Sequence, residues 1–505
     1  MTRKRATFSE GMAFGGASFA LSAVVGLASS VAIARLYGAS TLGELALAQA
    51  PALALAYLST AQEQAGLVRE LSVLAPRAPR VTGLFVAVFA FSLALTLVVT
   101  AIAVPAAYLL LHGPLHHPEL FAPSAVLIAG YVLIENTNWN LDMILSAFRA
   151  GRQLFWARLV HALTFLAVAV MAAMFVRSLW CLVVATVAGP LLALVVRLAV
   201  IGGFMRARVA RAVLREGAQA LPGMVRWGLK TAPGTALQGV ASQVAVWVMG
   251  FVTTTAAIGA YNRAALVAQR LVDINFRILE MLFPTLVERR SRSDAAGFDR
   301  AVADSLRYAA IALLLPAAVG GGAAHGIMSL FGPGFERAAD AFALLLLVPA
   351  LGALSSVQQT QLWAVDRPGI VTAIAAGHTA LMVALVIVLT SAMGITGAAL
   401  ACVLAGVAKL TCTSVVARAH WSGPLRALWP ARELLGLAAA FGLTFFVARA
   451  FDGAVPPGPL PALVAGTLVY GAVITLTCRR NPRDRARVAA VRDRLQLRLH
   501  REVPA

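Results

Sequence analysis

The amino-acid sequence predicts an all-α polytopic membrane protein of about 14 transmembrane helices, with two pseudo-repeated six-helix lobes and two further C-terminal helices. Of its 505 residues, 60% are hydrophobic and 13% are charged, whereas an ordinary soluble domain carries about 25% charged residues. Apolar runs long enough to cross a bilayer recur along the whole chain. A soluble fold could not bury all of these runs.

The first apolar run follows a basic N-terminal segment and is too long for a cleaved signal peptide, so we expect it to be retained as a membrane anchor. A second run follows it at once. The predicted helices lie at residues 12–34, 42–66, 82–111, 121–147, 157–176, 179–204, 228–252, 258–287, 304–328, 338–362, 370–391, 395–417, 432–449 and 460–478.

The net charge of +20 is explained mainly by topology. If the N-terminus is cytoplasmic, most of the 42 lysines and arginines fall in cytoplasmic connectors and tails. Lysine and arginine are enriched in cytoplasmic loops of membrane proteins. We therefore expect both termini in the cytoplasm, and we do not expect nucleic acid as a partner.

The two lobes are predicted from an internal repeat. A shift of 216 residues places Leu42 and Gly43 over Ile258 and Gly259. Six helices in each repeat give both lobes the same orientation, and such lobes usually enclose a substrate path. The predicted domains are an N-terminal lobe (1–204), a cytoplasmic amphipathic linker (205–227), a C-terminal lobe (228–418), two further helices (419–478) and a basic amphipathic tail (479–505).

We expect no cofactor and no metal. The four cysteines include no CxxC pair and lack the histidine spacing of a zinc site. The phosphate-binding pattern GxxxxGKS is absent from the chain, so we do not expect it to use ATP itself.

The eighth predicted helix carries five charges. Arg263, Arg270 and Arg277 recur every seven residues, which rotates successive members by about 20° on a helix. Asp273 and Glu280 lie on the same side. Exposing each charge near the centre of a span to lipid costs roughly 2.5–3.5 kcal/mol. This stripe is therefore expected to face a hydrated cavity. A purely structural ladder of ion pairs between the lobes is the alternative.

The second and fourth predicted helices supply further carboxylates. Glu135 and Asp142 share a face of the fourth helix with Asn138, and a carboxylate within the membrane is a usual site for a proton or cation. Glu63 ends the second helix. These acids and those of the eighth helix are the candidates for ion coupling, although Glu135 could equally neutralise an arginine and Glu63 could be a solvated cap. Arginine favours an anionic ligand, so the stripe makes Arg277 a substrate-binding candidate together with Arg263 and Arg270, whereas the excess of carboxylates would also suit a cation.

Several segments resemble a known family in matching order between about residue 8 and residue 420. They are AFGGASFALSAVVGLASSVAIARLYGASTLGELALA, AIGAYNRAALVAQR, MLFPTLVERRSRSDAAGFDRAVADSLRYAAIALLLPAAVG and SLFGPGFERAADAFALLLLVPALGAL, followed by WAVDRP and GITGAALA. The chain is similar to the polysaccharide transporter family of the multidrug/oligosaccharidyl-lipid/polysaccharide exporter superfamily.

This resemblance implies a bacterial inner-membrane flippase whose lobes rock about a central cavity. Its substrate would be an undecaprenyl-pyrophosphate-linked oligosaccharide moved to the outer leaflet for exopolysaccharide, capsule or O-antigen synthesis. The resemblance implies substrate-binding roles for Tyr261, Asn262, Arg263 and Arg270, and it implies a polysaccharide polymerase or export machinery as partner, besides membrane lipids. We do not expect an enzyme. A cation-coupled drug antiporter of the same superfamily is the main alternative, and a membrane glycosyltransferase or polymerase is a further one.

Overall fold

The computed structural model describes residues 8–72, 74–148, 150–205, 210–229, 232–421, 431–452 and 458–480, and this part of the chain contains helices and no β-strand. Eleven of the helices are long and apolar enough to cross a membrane. Large apolar side chains such as Leu109, Phe175 and Leu435 are exposed, which is the surface that lipid contact requires.

The elements are numbered α1 to α16 along the chain. The helices are α1 (Phe8–Leu58), α2 (Glu63–Ser72), α3 (Pro79–His112), α4 (Pro118–Ala147), α5 (Gly151–Ala173), α6 (Leu179–Ile201), α7 (Arg211–Gly228), α8 (Ala232–Val252), α9 (Thr255–Gln269), α10 (Val272–Ser291), α11 (Ala295–Gly322), α12 (Ala324–Ser329), α13 (Glu336–Ala364), α14 (Pro368–Arg418), α15 (Ala431–Asp452) and α16 (Leu460–Arg480).

Glycines divide two of the longest helices. Gly38 in α1 has φ 76° and Gly394 in α14 has φ 59°, and this left-handed backbone is readily adopted by glycine. Each of these 51-residue helices therefore supplies two crossings. Together with the α9–α10 pair, they confirm the predicted 14 crossings. The eighth predicted helix differs from expectation because a turn at Arg270 and Leu271 divides it into α9 and α10.

The two lobes meet mainly where α1 packs against α8 and α9. The first six crossings, from α1 to α6, form the N-terminal lobe, and those from α8 to α14 form the C-terminal lobe. The last two helices pack against α11 of the C-terminal lobe. There, the Tyr470 hydroxyl donates a 2.8 Å hydrogen bond to the carbonyl of Ile311. The end of the molecule that carries Gly38 is called the Gly38 face, and the opposite end, which carries α2 and α7, is called the linker face.

The linker helix α7 docks on protein as well as presenting charge. Its Gly217 is packed so closely on α3 that an added Cβ would lie 2.2 Å from the carbonyl oxygen of Gly83. Arg80 lies 3.5 Å from Glu70 and 3.4 Å from Glu216, while Arg211 remains exposed. The predicted amphipathic character is therefore accompanied by tight docking on α2 and α3. The predicted amphipathic tail beyond residue 480 lies outside the described residues.

Candidate functional site

Arg263 lies at the contact between the two lobes. It occupies the middle of α9, is 7% exposed and donates from Nη1 to the Ser30 hydroxyl of α1 across 3.4 Å. Its Nε is buried without a hydrogen-bond partner among the described residues, and the buried hydroxyl of Ser29 also lacks one there. A guanidinium in such a place retains unused donor capacity, since arginine carries five N–H groups in a planar fork.

Arg270 lies at the turn between α9 and α10 and reaches α1 one turn away from the Ser30 contact. A Cβ added to Gly26 would lie 3.5 Å from Arg270 Nη2, so the guanidinium packs beside Gly26 of the N-terminal lobe. The Arg270 residue is exposed. Arg263 and Arg270 therefore place one buried and one accessible cation along the same interlobe surface.

The N-terminal lobe contains a buried ion pair that the sequence pattern did not assign. Arg197 on α6 is 4% exposed and binds both carboxylate oxygens of Asp142 on α4, at 2.6 and 3.2 Å. Its Nη1 also donates to Asn138 Oδ1 at 3.2 Å. Bidentate pairing of this kind between a guanidinium and a carboxylate is strong and directional. Asp142, a predicted ion-coupling residue, is thus held by a permanent positive charge.

Glu135 and His161 extend this cluster towards the other lobe. Asn138 Nδ2 donates to Glu135 Oε2 at 3.2 Å. His161 on α5 packs on Gly189. It is close enough to Asp142, Arg197 and Arg270 to interact with them electrostatically. Glu135 is half-buried and makes no salt bridge of 4 Å or less within the described residues. Among the predicted carboxylates whose side chains the structure describes, Glu135 is therefore the one least engaged by neighbouring groups.

Glu63 is fully buried at the first position of α2. Its Oε2 accepts a 2.8 Å hydrogen bond from the backbone N–H of Ala61, and its Oε1 accepts one from the Ser92 hydroxyl. These contacts secure the start of α2 to α3. The Glu63 carboxylate thus has the geometry of a structural cap. Ion coupling at Glu63 stays a prediction.

The remaining predicted residues are placed differently. The Tyr261 hydroxyl is directed at Cys402 Sγ of α14, 3.7 Å away within the C-terminal lobe, so this side chain packs away from α1. Asn262 is half-buried on α9. The backbones of Asp273, Arg277 and Glu280 lie in α10, while their side chains lie outside what the structure describes. Substrate and ion roles for all of these residues stay predictions.

The structure thus brings Arg263 against Ser30 and Arg270 against Gly26 of α1, and it places Arg270 near His161. Arg197 was the main omission from the sequence-based site. A lone arginine in an apolar span was the available signal, because an unpaired charge there is costly. Its partner could be identified only once the helices were packed.

The helices and this charged interlobe surface define a polytopic helical membrane protein with two lobes. The chain belongs to the polysaccharide biosynthesis protein family, whose sequence pattern matches residues 34–328. The family resemblance seen in the sequence is thereby confirmed. No curated protein matches the chain.

Solved structures share the fold at low sequence identity. The lipid II flippase MurJ in an inward closed conformation is 13% identical, with a TM-score of 0.65 over 92% of this chain and 98% of that chain. An inward-facing multidrug resistance MATE family transporter is 14% identical, with a TM-score of 0.56 over 78% and 94%. The eukaryotic MATE transporter AtDTX14 is 15% identical, with a TM-score of 0.53 over 81% and 96%.

Proposed function

We propose that the protein is a flippase that moves undecaprenyl-pyrophosphate-linked oligosaccharides from the cytoplasmic to the outer leaflet of the bacterial inner membrane by alternating access. A pyrophosphate and a hydrated glycan cannot cross hydrocarbon without a polar path, since charged groups are costly there. The polyprenyl chain, being apolar, can stay in lipid. Transport of this kind needs binding and release and no catalytic group.

The observation that carries this proposal is the position of Arg263 and Arg270 between the lobes. Guanidinium groups bind phosphate oxygens through paired, charge-assisted hydrogen bonds. Arg263 has unused donor capacity next to Ser30, and Arg270 is accessible beside Gly26. An anion between the lobes would therefore meet a cation on α9 and hydroxyl groups on α1.

The location of these residues between the lobes supports alternating access. The main contact between the lobes runs along α1, α8 and α9, so relative rocking of the lobes would change the surroundings of both arginines. Arg270 and Glu135 then have separate roles, the first in holding the anion and the second in titrating to reset the cycle. Because lysine and arginine are enriched in cytoplasmic loops, the basic connectors support a cytoplasmic location for the linker face and both termini. A polysaccharide polymerase or export machinery would receive the product.

The test is ligand-dependent thermal stability of the purified full chain. Undecaprenyl pyrophosphate should raise the melting temperature of the wild type, and a cationic dye should have little effect. The variant Arg263→Gln/Arg270→Gln should lose this stabilisation. Arg177→Gln, which replaces an exposed arginine in the connector between α5 and α6, is the matched control and should keep it.

Two results would contradict the proposal. If the pyrophosphate lipid stabilises the double variant as much as the wild type, its anion does not bind to the arginines of α9. Stabilisation by the dye alone would favour the drug antiporter, because its substrate is a cation and would be attracted to carboxylates such as Glu135.

A further inference from the structure

The C-terminal lobe contains a polar cavity of about 290 Å³ that is separate from the α9 arginines. Its walls come from α8, α13 and both halves of α14, and Gln62 of the N-terminal lobe contributes at the linker face. Neither Arg263 nor Arg270 lines it. The polar side chains that bear on its chemistry are Thr235, Gln238, Gln359, His378, Thr379 and Lys409.

Two basic side chains reach this cavity at similar depth. His378 is ten residues from Pro368 at one end of α14, and Lys409 is nine residues from Arg418 at the other. Both ends lie at the linker face, so a rise of 1.5 Å per residue places both side chains about 14–15 Å inside it. A lysine at such depth is costly unless an anion or water accompanies it.

Among the residues that the structure describes, no carboxylate lines this cavity. The sequences of α8 and α14 contain neither aspartate nor glutamate. The acids of α13, Glu336 and Asp340, are near its opposite end, about 35 and 28 Å from Gln359 along the helix. Asp366 lies in the connector before α14, where it is exposed. Lys409 accordingly has no salt bridge among the described residues.

One hydrogen-bond donor at this cavity is buried without an acceptor in the part of the chain that the structure describes. Gln359 Nε2 is buried without a partner among the described residues. The hydroxyls of Thr372 and Thr379 already donate to carbonyls within α14, at 3.4 and 2.9 Å. Their oxygens remain acceptors, yet neither carries a formal charge to balance Lys409. An anion with several acceptor atoms could accept from Gln359 Nε2 and neutralise Lys409.

We propose that this cavity binds a phosphoryl group through Lys409 and Gln359, as a second anion site distinct from the substrate arginines of α9. Lysine binds phosphate as a compact point charge, and the buried amide of Gln359 supplies a directed donor. Both a free cytosolic phosphate compound and the headgroup of an anionic phospholipid present this chemistry at the linker face. The site does not depend on which substrate the protein transports.

Two probes distinguish the sources of the phosphoryl group. Inorganic pyrophosphate is titrated into the detergent-purified full chain at constant ionic strength. In parallel, melting temperatures are compared in nanodiscs of phosphatidylglycerol and of phosphatidylcholine. Binding of pyrophosphate in solution identifies a free phosphate compound as the occupant. Stabilisation by phosphatidylglycerol without pyrophosphate binding identifies a lipid headgroup.

In either arm, Lys409→Gln should weaken the effect at least tenfold, because charge-assisted hydrogen bonds contribute about 1.5–3 kcal/mol. Because pyrophosphate would also bind the α9 arginines under the transport proposal, both probes are measured in the Arg263→Gln/Arg270→Gln background. Adding Arg177→Gln, which replaces an exposed arginine outside the cavity, should leave the effect unchanged. Failure of this site is then distinguishable from failure of the transport proposal. Gln359→Leu serves if Lys409→Gln does not fold, and it should weaken the same effect. Binding that Lys409→Gln and Gln359→Leu leave intact would overturn the proposal, as would the absence of an effect in both arms.

Discussion

Gly43 and Gly259 meet across the boundary between the lobes. An added Cβ on Gly43 would lie 1.7 Å from the carbonyl oxygen of Thr255, and one on Gly259 would lie 1.9 Å from that of Ala39. The two residues of each pair, Gly43 with Gly259 and Ala39 with Thr255, are related by the 216-residue shift of the internal repeat. Equivalent residues can touch in this reciprocal way only near a twofold axis, so the pseudo-symmetry axis passes between α1 and α9.

Gly43→Ala should separate the lobes at the Gly38 face, because its methyl group overlaps backbone that cannot move away locally. Overpacking of this kind costs about 1–3 kcal/mol. This is enough to lower the population of the state closed at the Gly38 face roughly tenfold. The hydroxyl oxygens of Ser40 and Thr255 are 3.0 Å apart. A Ser40→Cys/Thr255→Cys pair in a cysteine-free background should therefore crosslink, and Gly43→Ala should remove most of the crosslink.

The control for this experiment is Gly377→Ala, since a Cβ at Gly377 would meet nothing within 4 Å. It should leave the crosslink intact. Full crosslinking in the Gly43→Ala background would mean that the two helices can shift to accommodate a methyl group, and that this contact does not set the closure of the Gly38 face.

Docking of the linker helix should be equally sensitive to one methyl group. Gly217→Ala places a Cβ 2.2 Å from the Gly83 carbonyl oxygen and should destabilise the protein by about 1–3 kcal/mol. Gly223→Ala, in the same helix, meets nothing within 4 Å and should be neutral or stabilising by up to about 1 kcal/mol. Denaturation in detergent measures both, and equal effects of the two substitutions would show that α7 is not held by this close contact.

The helices were predictable because each span is a long apolar run and because Gly38 and Gly394 sit between runs in the sequence. The internal repeat was predictable because the matched positions keep a constant shift. The turn at Arg270 and Leu271 was not, because neither residue is glycine or proline. Both have φ and ψ near helical values, −59° and −25° for Arg270, so no residue type signals the break.

The site was predictable only in part, for a different physical reason. A charge in an apolar span predicts a polar partner, because an unpaired charge there is costly. Arg263 and Arg270 were identified on this basis. The identity of the partner depends on which helices become neighbours, as with Arg197 and Asp142, which are 55 residues apart. Tyr261 illustrates the converse, since its position in the family motif gives no indication that its hydroxyl is directed at Cys402.

The Arg197–Asp142 pair should be required for stability. Arg197→Met leaves Asp142 buried and unpaired, which typically costs about 3–5 kcal/mol. Arg197→Met/Asp142→Leu should recover most of this loss, because well-packed apolar residues can replace a buried ion pair. Chemical denaturation in detergent gives the coupling between the two positions, and two additive losses would contradict a direct pair.

The double variant also tests ion coupling at Asp142. If it is stable and still transports the lipid-linked oligosaccharide in reconstituted vesicles, Asp142 is not the titrating group. Loss of transport with intact folding would support the ion-coupling prediction. Asp299→Asn, which replaces a buried carboxylate of α11 in the C-terminal lobe, controls for the loss of an acid elsewhere in the protein.

Substitution of Arg263 should affect stability in the opposite way to substitution of Arg197. Its guanidinium is buried, binds Ser30 at 3.4 Å and leaves Nε without a partner among the described residues, so its burial is poorly compensated. Arg263→Gln should therefore keep or raise the melting temperature while weakening binding of undecaprenyl pyrophosphate at least tenfold, through loss of about 1.5–3 kcal/mol. Arg263→Lys keeps the charge and should retain part of the binding. If Arg263→Gln instead destabilises the protein as strongly as Arg197→Met does and binds the lipid normally, α9 carries a structural ladder between the lobes and the anion binds elsewhere.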